Sequence, residues 1–261
     1  MKSGRSPLKQ PPLHNPADSL LEQRDNLVYD RILYPAISSL FLLTITIYMW
    51  LFYLGLTKPA PYSFTIVTII VLIASAIVIR NTIKRIRAHN HGIAAEKAVG
   101  QFLEQFRAQG YSVIHDIMVK NKETAFNIDH LLIGPKGIFT VETKYRKKPL
   151  RGACKVSYDG NQISINGQTP DRGPIAQAMG QASWIRDYLK SCTALATVPV
   201  TPIVVFPGWY IDYLQAGDAK VKVANEHLIW ACIQSSPHAI APHDAKLIES
   251  RLTAYVQTQP S

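Results

Sequence analysis

The sequence predicts an α/β fold: a mixed central sheet flanked by helices, preceded by a two-helix hairpin long enough to cross a bilayer. Three observations carry this. Two uncharged apolar runs stand close together between residues 36 and 79. From about His89 the composition becomes that of a soluble domain. Within that domain, helical patterns lie on both sides of a block of short apolar strands, the pattern of a layered α/β unit.

Residues 1–34 are polar and carry Pro7, Pro11, Pro12 and Pro16. Such a segment buries too little apolar surface to order itself. It is not read as a signal peptide, because the apolar run comes late and no small-residue cleavage site follows it. Ala36 to Leu56 then holds 21 residues without a charge. As a helix it spans roughly 31 Å, the thickness of a hydrocarbon core. A short turn, TKPAPY, leads to the second run, Ser63 to Ile79, with Tyr62 and Arg80 as interfacial anchors. The predicted spans occupy residues 35–80, and a basic linker covers residues 81–92. Lys2, Arg5, Lys9, Arg24 and Arg31 precede the runs, Arg80, Lys84, Arg85 and Arg87 follow them, and Lys58 alone lies between. The positive-inside rule therefore puts both ends on the cytoplasmic side of a bacterial-type inner (plasma) membrane. Neither run contains an ionisable residue, so the hairpin reads as an anchor rather than a transport path.

Elements of the soluble part follow in order. Residues 94–110 read as a helix with Ala98, Phe102, Leu103 and Phe106 as its apolar stripe and Gly110 as its stop. YSVIHDIMV is a strand. FNIDHLLI and GIFTVETK are two more, joined by the turn GPKG. CKVSYDGNQISING reads as a further hairpin with Asp159-Gly160 in its turn. PIAQAMGQASWIRDYLKS is a helix opened by Pro174. VPVTPIVVF is a buried strand, VKVAN a short one, and HDAKLIESRLTAYV a closing amphipathic helix. The predicted domain covers residues 93–210, with residues 211–261 as a C-terminal extension packed on it.

The formal net charge of +10 favours an anionic partner, either nucleic acid or an anionic lipid surface. The basic residues beside the apolar runs equally serve to set topology. Cys154, Cys192 and Cys232 form no CxxC pair and are odd in number, which argues against a zinc ribbon or a disulfide framework. His89 and His91 form an isolated HxH with no second ligand pair nearby. No GxxxxGK[ST] phosphate loop and no GxSxG elbow is present.

The chemistry concentrates in IDHLLIGPKGIFTVETK, residues 128–144. Residues two apart on a strand share a face, so Glu142 and Lys144 sit side by side with Thr140 and Ile138 in line. Asp129 lies on the neighbouring strand, near enough for its carboxylate to approach Glu142. Converging carboxylates repel unless a cation, a proton or a lysine intervenes. A hard divalent cation with oxygen ligands suits them. A plain surface salt bridge between Glu142 and Lys144 is the competing reading. The tail Lys144 to Arg151, KYRKKPLR, suits phosphate contacts, or is an ordinary solvated loop.

AAEKAVGQFL, NIDHLLIGPKGIFTVETK, PIAQAMGQASWIRDYL and PVTPIVVF together resemble the successive blocks of a NERD (nuclease-related) domain over about residues 90 to 210. That domain is similar to the restriction-endonuclease-like PD-(D/E)XK nucleases. The resemblance implies their mixed central sheet and metal-assisted phosphodiester hydrolysis, most naturally of DNA. It gives Asp129, Glu142 and Glu96 to Mg²⁺ (or Mn²⁺), Lys144 to water and phosphate, and Gln177 to water or a DNA phosphate. Lys144, Arg146, Lys147, Lys148 and Arg151 then face nucleic acid. The family often has Gly-Glu in its first helix, where this chain has Ala95-Glu96. Two other classes stay open. One is a non-catalytic, membrane-tethered nucleic-acid-binding module; the other is a scaffold whose basic stretches bind anionic lipid.

Overall fold

The computed structural model describes residues 21, 25, 28–55, 61–120, 125–149, 152, 154–170, 173–195, 198–214, 219–237 and 239–258. The leading basic residues Lys2, Arg5, Lys9 and Arg24, the turn residue Lys58 and the tail residue Arg151 lie outside them. The chain divides into two compact units, with the junction at His91–Gly92.

The first unit contains α1 (Tyr34–Tyr53) and the leading part of α2 (Pro61–Glu104). Pro35 opens α1, where its missing N–H costs no hydrogen bond. Two helices here are long and apolar enough to cross a membrane by length and composition. Their polarity is inverted relative to a soluble hairpin. Ser39, Thr46 and Thr68 are buried, whereas Phe41 is 65% and Ile70 61% exposed. The Ser39 hydroxyl donates to Ser75 Oγ at 2.6 Å, Trp50 Nε1 donates to Thr65 Oγ1 at 2.9 Å, and Thr46 and Thr68 share a hydroxyl hydrogen bond. A polar seam thus joins the helices and the apolar side chains face outward, which is how helices associate in lipid.

The stretch read as a linker, residues 81–92, is helical, because α2 runs on without a break to Glu104. No glycine or proline interrupts it between Tyr62 and His91, and such residues are the usual helix breakers.

The second unit is built on a five-stranded mixed sheet of order β1-β2-β3-β6-β8. β1 (Ser112–Lys120), β2 (Ala125–Gly134) and β3 (Gly137–Thr143) form an antiparallel meander. β6 (Val200–Val205) pairs with β3 in parallel, and β8 (Lys222–Ala224) with β6 in parallel. This is the mixed α/β class that the sequence predicts. A smaller sheet of order β5-β4-β7 joins β4 (Lys155–Tyr158), β5 (Ile163–Ile165) and β7 (Tyr210–Tyr213). Strands β7 and β8 show that the chain beyond residue 210 contributes to both sheets.

Helices cover both faces of the large sheet. On one side α3 (Pro174–Cys192) and α5 (Pro242–Thr258) bury Ile185, Leu189, Ile248 and Leu252 against Leu131, Ile133 and Ile138. On the other, the end of α2 and the short α4 (Ile229–Gln234) bury Val99, Leu103, Phe106, Ile229 and Ile233 against Leu132, Phe139 and Val141. The buried stripe of α2 passes through Val99; Ala98 is exposed. Strand parity therefore decides which helix each residue of β3 meets: Ile138, Thr140 and Glu142 turn toward α3. The β2–β3 turn needs glycine at Gly134, where a Cβ would stand 2.3 Å from the Tyr111 ring.

Candidate active site

β3 is the central strand, and its last residues carry the chemistry. Glu142 is only 3% exposed. A buried carboxylate needs donors, and three side chains supply them. Lys144 Nζ donates to Glu142 Oε1 at 2.5 Å, and Gln177 Nε2 donates to the same oxygen at 2.8 Å. Gln181 Nε2 donates to the other oxygen, Oε2, at 2.5 Å and also to the Asn127 carbonyl at 2.9 Å. Lys144 Nζ donates in addition to Gln177 Oε1 at 2.8 Å. The lysine is thus shared between an acid and an amide rather than paired with the acid alone. Lys144 follows β3 directly, and its N–H donates to the Val205 carbonyl, so it stays aligned with β6.

Asp129 reaches the same strand end by a different route. The β2–β3 register runs from Gly134↔Gly137 to His130↔Val141. One residue further, Asp129 Oδ2 accepts from the Thr143 N–H at 2.7 Å. A side chain here takes the proton that a ladder carbonyl would otherwise accept. The strand alternation is also broken at this level. Ile114 and Ile117 share one cluster though three apart, as do Ile128 and Leu131 on the facing strand. Asp116, between the first two, has φ of 52°.

Burial, and then the nearby carboxylates of Glu142 and Glu96, push the Asp129 carboxyl well above the usual carboxylate range; the Thr143 N–H and the Lys144 ammonium oppose them. Glu96 comes from α2 and is 3% exposed, so it is not a solvent-facing helix residue. It lies on the buried stripe, three residues before Val99 and seven before Leu103. Three acids therefore lie close enough for two of them to perturb the third, with one lysine among them.

The remaining predicted residues divide. Gln177 sits on the exposed side of α3 and still reaches Glu142 and Lys144. Arg146 is partly buried and Lys147 and Lys148 are exposed on the stretch after Lys144; none of the three touches Glu142 or Asp129 through a hydrogen bond among the described residues. Gln181 is a residue the sequence reading omitted. Its signal was present: it lies four residues after Gln177, on the same helical face.

Among the described residues no three His, Cys, Asp or Glu side chains form a ready-made metal cage. The donor set nevertheless fits a hard cation. Mg²⁺ is commonly held by one or two carboxylates, with waters and substrate phosphates filling its other positions. Burial and the like charges of Glu142 and Glu96 raise the proton affinity of Asp129, and a cation beside the three acids would offset that repulsion.

Among curated proteins nothing matches the chain. Of solved structures, the crystal structure of AF1548, a protein of unknown function, aligns over 63% of this chain and 100% of its own at 8% identity with a TM-score of 0.29. Pyrococcus furiosus SfsA in complex with Ca²⁺ aligns over 57% of this chain and 54% of its own at 19% identity with a TM-score of 0.26. Residues 91–207, which contain Glu96, Asp129, Glu142, Lys144 and Gln177, match the family model of the nuclease-related domain.

Proposed function

We propose that this protein is a membrane-anchored, Mg²⁺- or Mn²⁺-dependent nuclease that hydrolyses phosphodiester bonds of DNA. The observation that carries the reading is the Lys144–Glu142 contact at 2.5 Å beside the Asp129 carboxyl. The nuclease-related match adds a nuclease-like function in general terms. Asp129 and Glu142 would hold the ion, with Glu96 supporting them. When bound, the ion supplies a Lewis acid for the phosphate and lowers the pKa of water at the site.

The chain's own residues supply the rest. Lys144 places an ammonium beside the carboxylates and offsets charge that develops on phosphate oxygens. Gln177 presents its carboxamide at the exposed mouth, where it orients Lys144 and a water or phosphate. Gln181 fixes the second oxygen of Glu142, so the carboxylate cannot swing away. Arg146, Lys147 and Lys148 continue as cations along the path of a strand. The inverted polarity of α1 and α2, with hydroxyls inside and aromatic and aliphatic side chains outside, supports the anchor. The exposed Arg80, Lys84 and Arg85 support a cytoplasmic end.

The purified protein incubated with Mg²⁺ or Mn²⁺ is expected to nick or degrade DNA, and Glu142→Ala to abolish that. Metal-dependent cleavage that persists in a clean Glu142→Ala preparation removes the site assignment.

One observation favours a second reading, a nucleic-acid-binding module without turnover. Both oxygens of Glu142 are already engaged by Lys144, Gln177 and Gln181. Salt-sensitive DNA binding with no cleavage across several divalent metals selects that reading.

A further inference from the structure

Beyond Lys144 the chain runs without regular structure to Pro149, alongside a cavity of about 500 Å³. Arg146, Lys147 and Lys148 line it from this stretch, and Ile165, Gln168 and Trp209 from the small sheet and its connections. We propose that this cavity receives one unstacked nucleotide of a single strand, next to the phosphate that is cut. The proposal rests on the nuclease reading of the Lys144 site and names its substrate class: single-stranded or frayed nucleic acid.

The cavity begins two residues beyond the site along the chain. Lys144 and Arg146 are two residues apart, at most ~7 Å of extended chain. Trp209 Nε1 donates to the Arg146 carbonyl at 3.3 Å, which ties the basic stretch to the start of β7. Trp209 itself is buried, so this tie is a built part of the domain.

The facing wall is preformed. Ile165 N donates to the Gln168 carbonyl at 2.8 Å and Gln168 N to the Ile165 carbonyl at 3.0 Å. Asn166 and Gly167 between them have φ of 49° and 82°, the two left-handed residues of a type I′ turn. Asn166 Oδ1 accepts from the Lys155 N–H at 3.2 Å and fastens the turn to β4.

The lining matches the parts of a nucleotide. Three cations suit a phosphate, Ile165 and Pro170 offer apolar surface to a base face, and the Gln168 carboxamide can meet a base edge. The described lining contains no acid. A duplex keeps its bases stacked, so it offers such a wall phosphates and groove edges but no free base face. An unpaired strand can turn a base into the cavity, as strands do on single-strand binding surfaces.

The test is binding by the full-length chain in detergent with EDTA present, so that no turnover intervenes. Fluorescence anisotropy compares a labelled oligothymidylate with a duplex of the same length. The single strand is expected to bind about tenfold more tightly. Gln168→Leu combined with a change at the adjacent lining residue, Thr169→Leu, removes two polar side chains from the cavity, leaves the charge unchanged, and is expected to bring that ratio close to one. Lys148→Gln is expected to reduce the salt dependence of single-strand binding by about one released counterion. Equal affinity of the native protein for both DNAs, or a ratio unmoved by the double substitution, overturns the proposal. Displacement of the oligomer by dTMP at comparable concentration overturns it too, in favour of a free nucleotide. Cleavage is assayed separately with Mg²⁺ on the same preparations. A preserved ratio without cleavage supports this cavity and removes the nuclease reading instead.

Discussion

Gln181 Nε2 lies 2.5 Å from Glu142 Oε2, and so holds the carboxylate oxygen that Lys144 does not. The amide also donates to the Asn127 carbonyl on β2, so one side chain of α3 ties two neighbouring strands at the site. Gln181 is therefore a positioning residue for Glu142. Gln181→Ala is expected to lower activity about 10- to 100-fold, as loss of an outer-shell partner does. The distinguishing readout is the Mg²⁺ concentration at half-maximal activity, which should rise. A variant that loses only thermal stability, with its metal dependence unchanged, would show that the amide merely packs.

Asp129 makes a prediction of the opposite kind, because removing its charge should help the fold. Its carboxyl holds a proton well above the usual range, through burial and the carboxylates of Glu142 and Glu96. With a raised folded value, the stability it contributes is complete below the unfolded value of 3.8 and is lost as pH rises through the folded value. Asp129→Asn keeps an acceptor for the Thr143 N–H and removes the repulsion. At neutral pH it should raise Tm, by ~2–4 °C for each kcal/mol relieved, while abolishing cleavage. The gap between variant and native protein should close as pH falls toward 3.8. Added Mg²⁺ should close it at neutral pH by stabilising the native protein alone. A lower Tm for Asp129→Asn at neutral pH would mean that the acids do not repel.

The difference between these two residues shows what a sequence can and cannot carry. The face shared by Glu142 and Lys144 follows from strand parity alone, and the hairpin around them from the apolar runs closed by Gly134 and Gly137. Asp129 was placed only roughly, because alternation breaks beside it, where Asp116 adopts a positive φ. The apolar stripe of the helix that carries Glu96 was drawn one position off. A stripe drawn through Ala98 instead of Val99 rotates the helix by one position, about 100°. The buried Val99, Leu103 and Phe106 carry Glu96 inward with them. Gln181 needed the third dimension, since only the packing of α3 on β3 brings its amide to Glu142. β7 and α4 are four and six residues long, too short for a period to register. They form through pairing of β7 with β4 and packing of Ile229, Trp230 and Ile233 on Leu103 and Phe106, which are contacts distant in sequence.

On the other face of the sheet, His115 Nδ1 and His130 Nδ1 stand 2.9 Å apart, and His115 Nε2 is 2.9 Å from Glu104 Oε1. A carboxylate acceptor makes Nε2–H of His115 the donor, so His115 Nδ1 accepts from Nδ1–H of His130. Burial holds both rings below their usual range, that of His130 well below, where the neighbouring His115 lowers it further. Depressed values mean that the stability they contribute is present above 6.5, the unfolded value, and is lost as pH falls toward the folded values. Thermal unfolding should therefore show a falling Tm below about pH 6.5. Replacing both histidines with glutamine should flatten that slope, at a cost of about 1–3 kcal/mol for the altered buried pair. An unchanged slope would place the acid sensitivity elsewhere in the domain.

The proposed anchor can be examined apart from the proposed nuclease chemistry. Thr46 and Thr68 meet through their hydroxyls inside the helix pair, while Leu40 and Ile70 point outward, 64% and 61% exposed. In water this arrangement would expose apolar surface on every side; in lipid it costs nothing and leaves the hydroxyls to join the helices. Thr46→Cys combined with Thr68→Cys should form a disulfide on mild oxidation of isolated membranes, because contacting side chains bring the Cβ atoms within bonding range. Leu40→Cys combined with Ile70→Cys should not. Mass spectrometry of the linked peptide separates these bridges from any that involve Cys154, Cys192 or Cys232. Efficient linkage of the outward pair, or recovery of the full-length chain in the soluble fraction without detergent, would mean that the apolar faces pack on protein rather than on lipid.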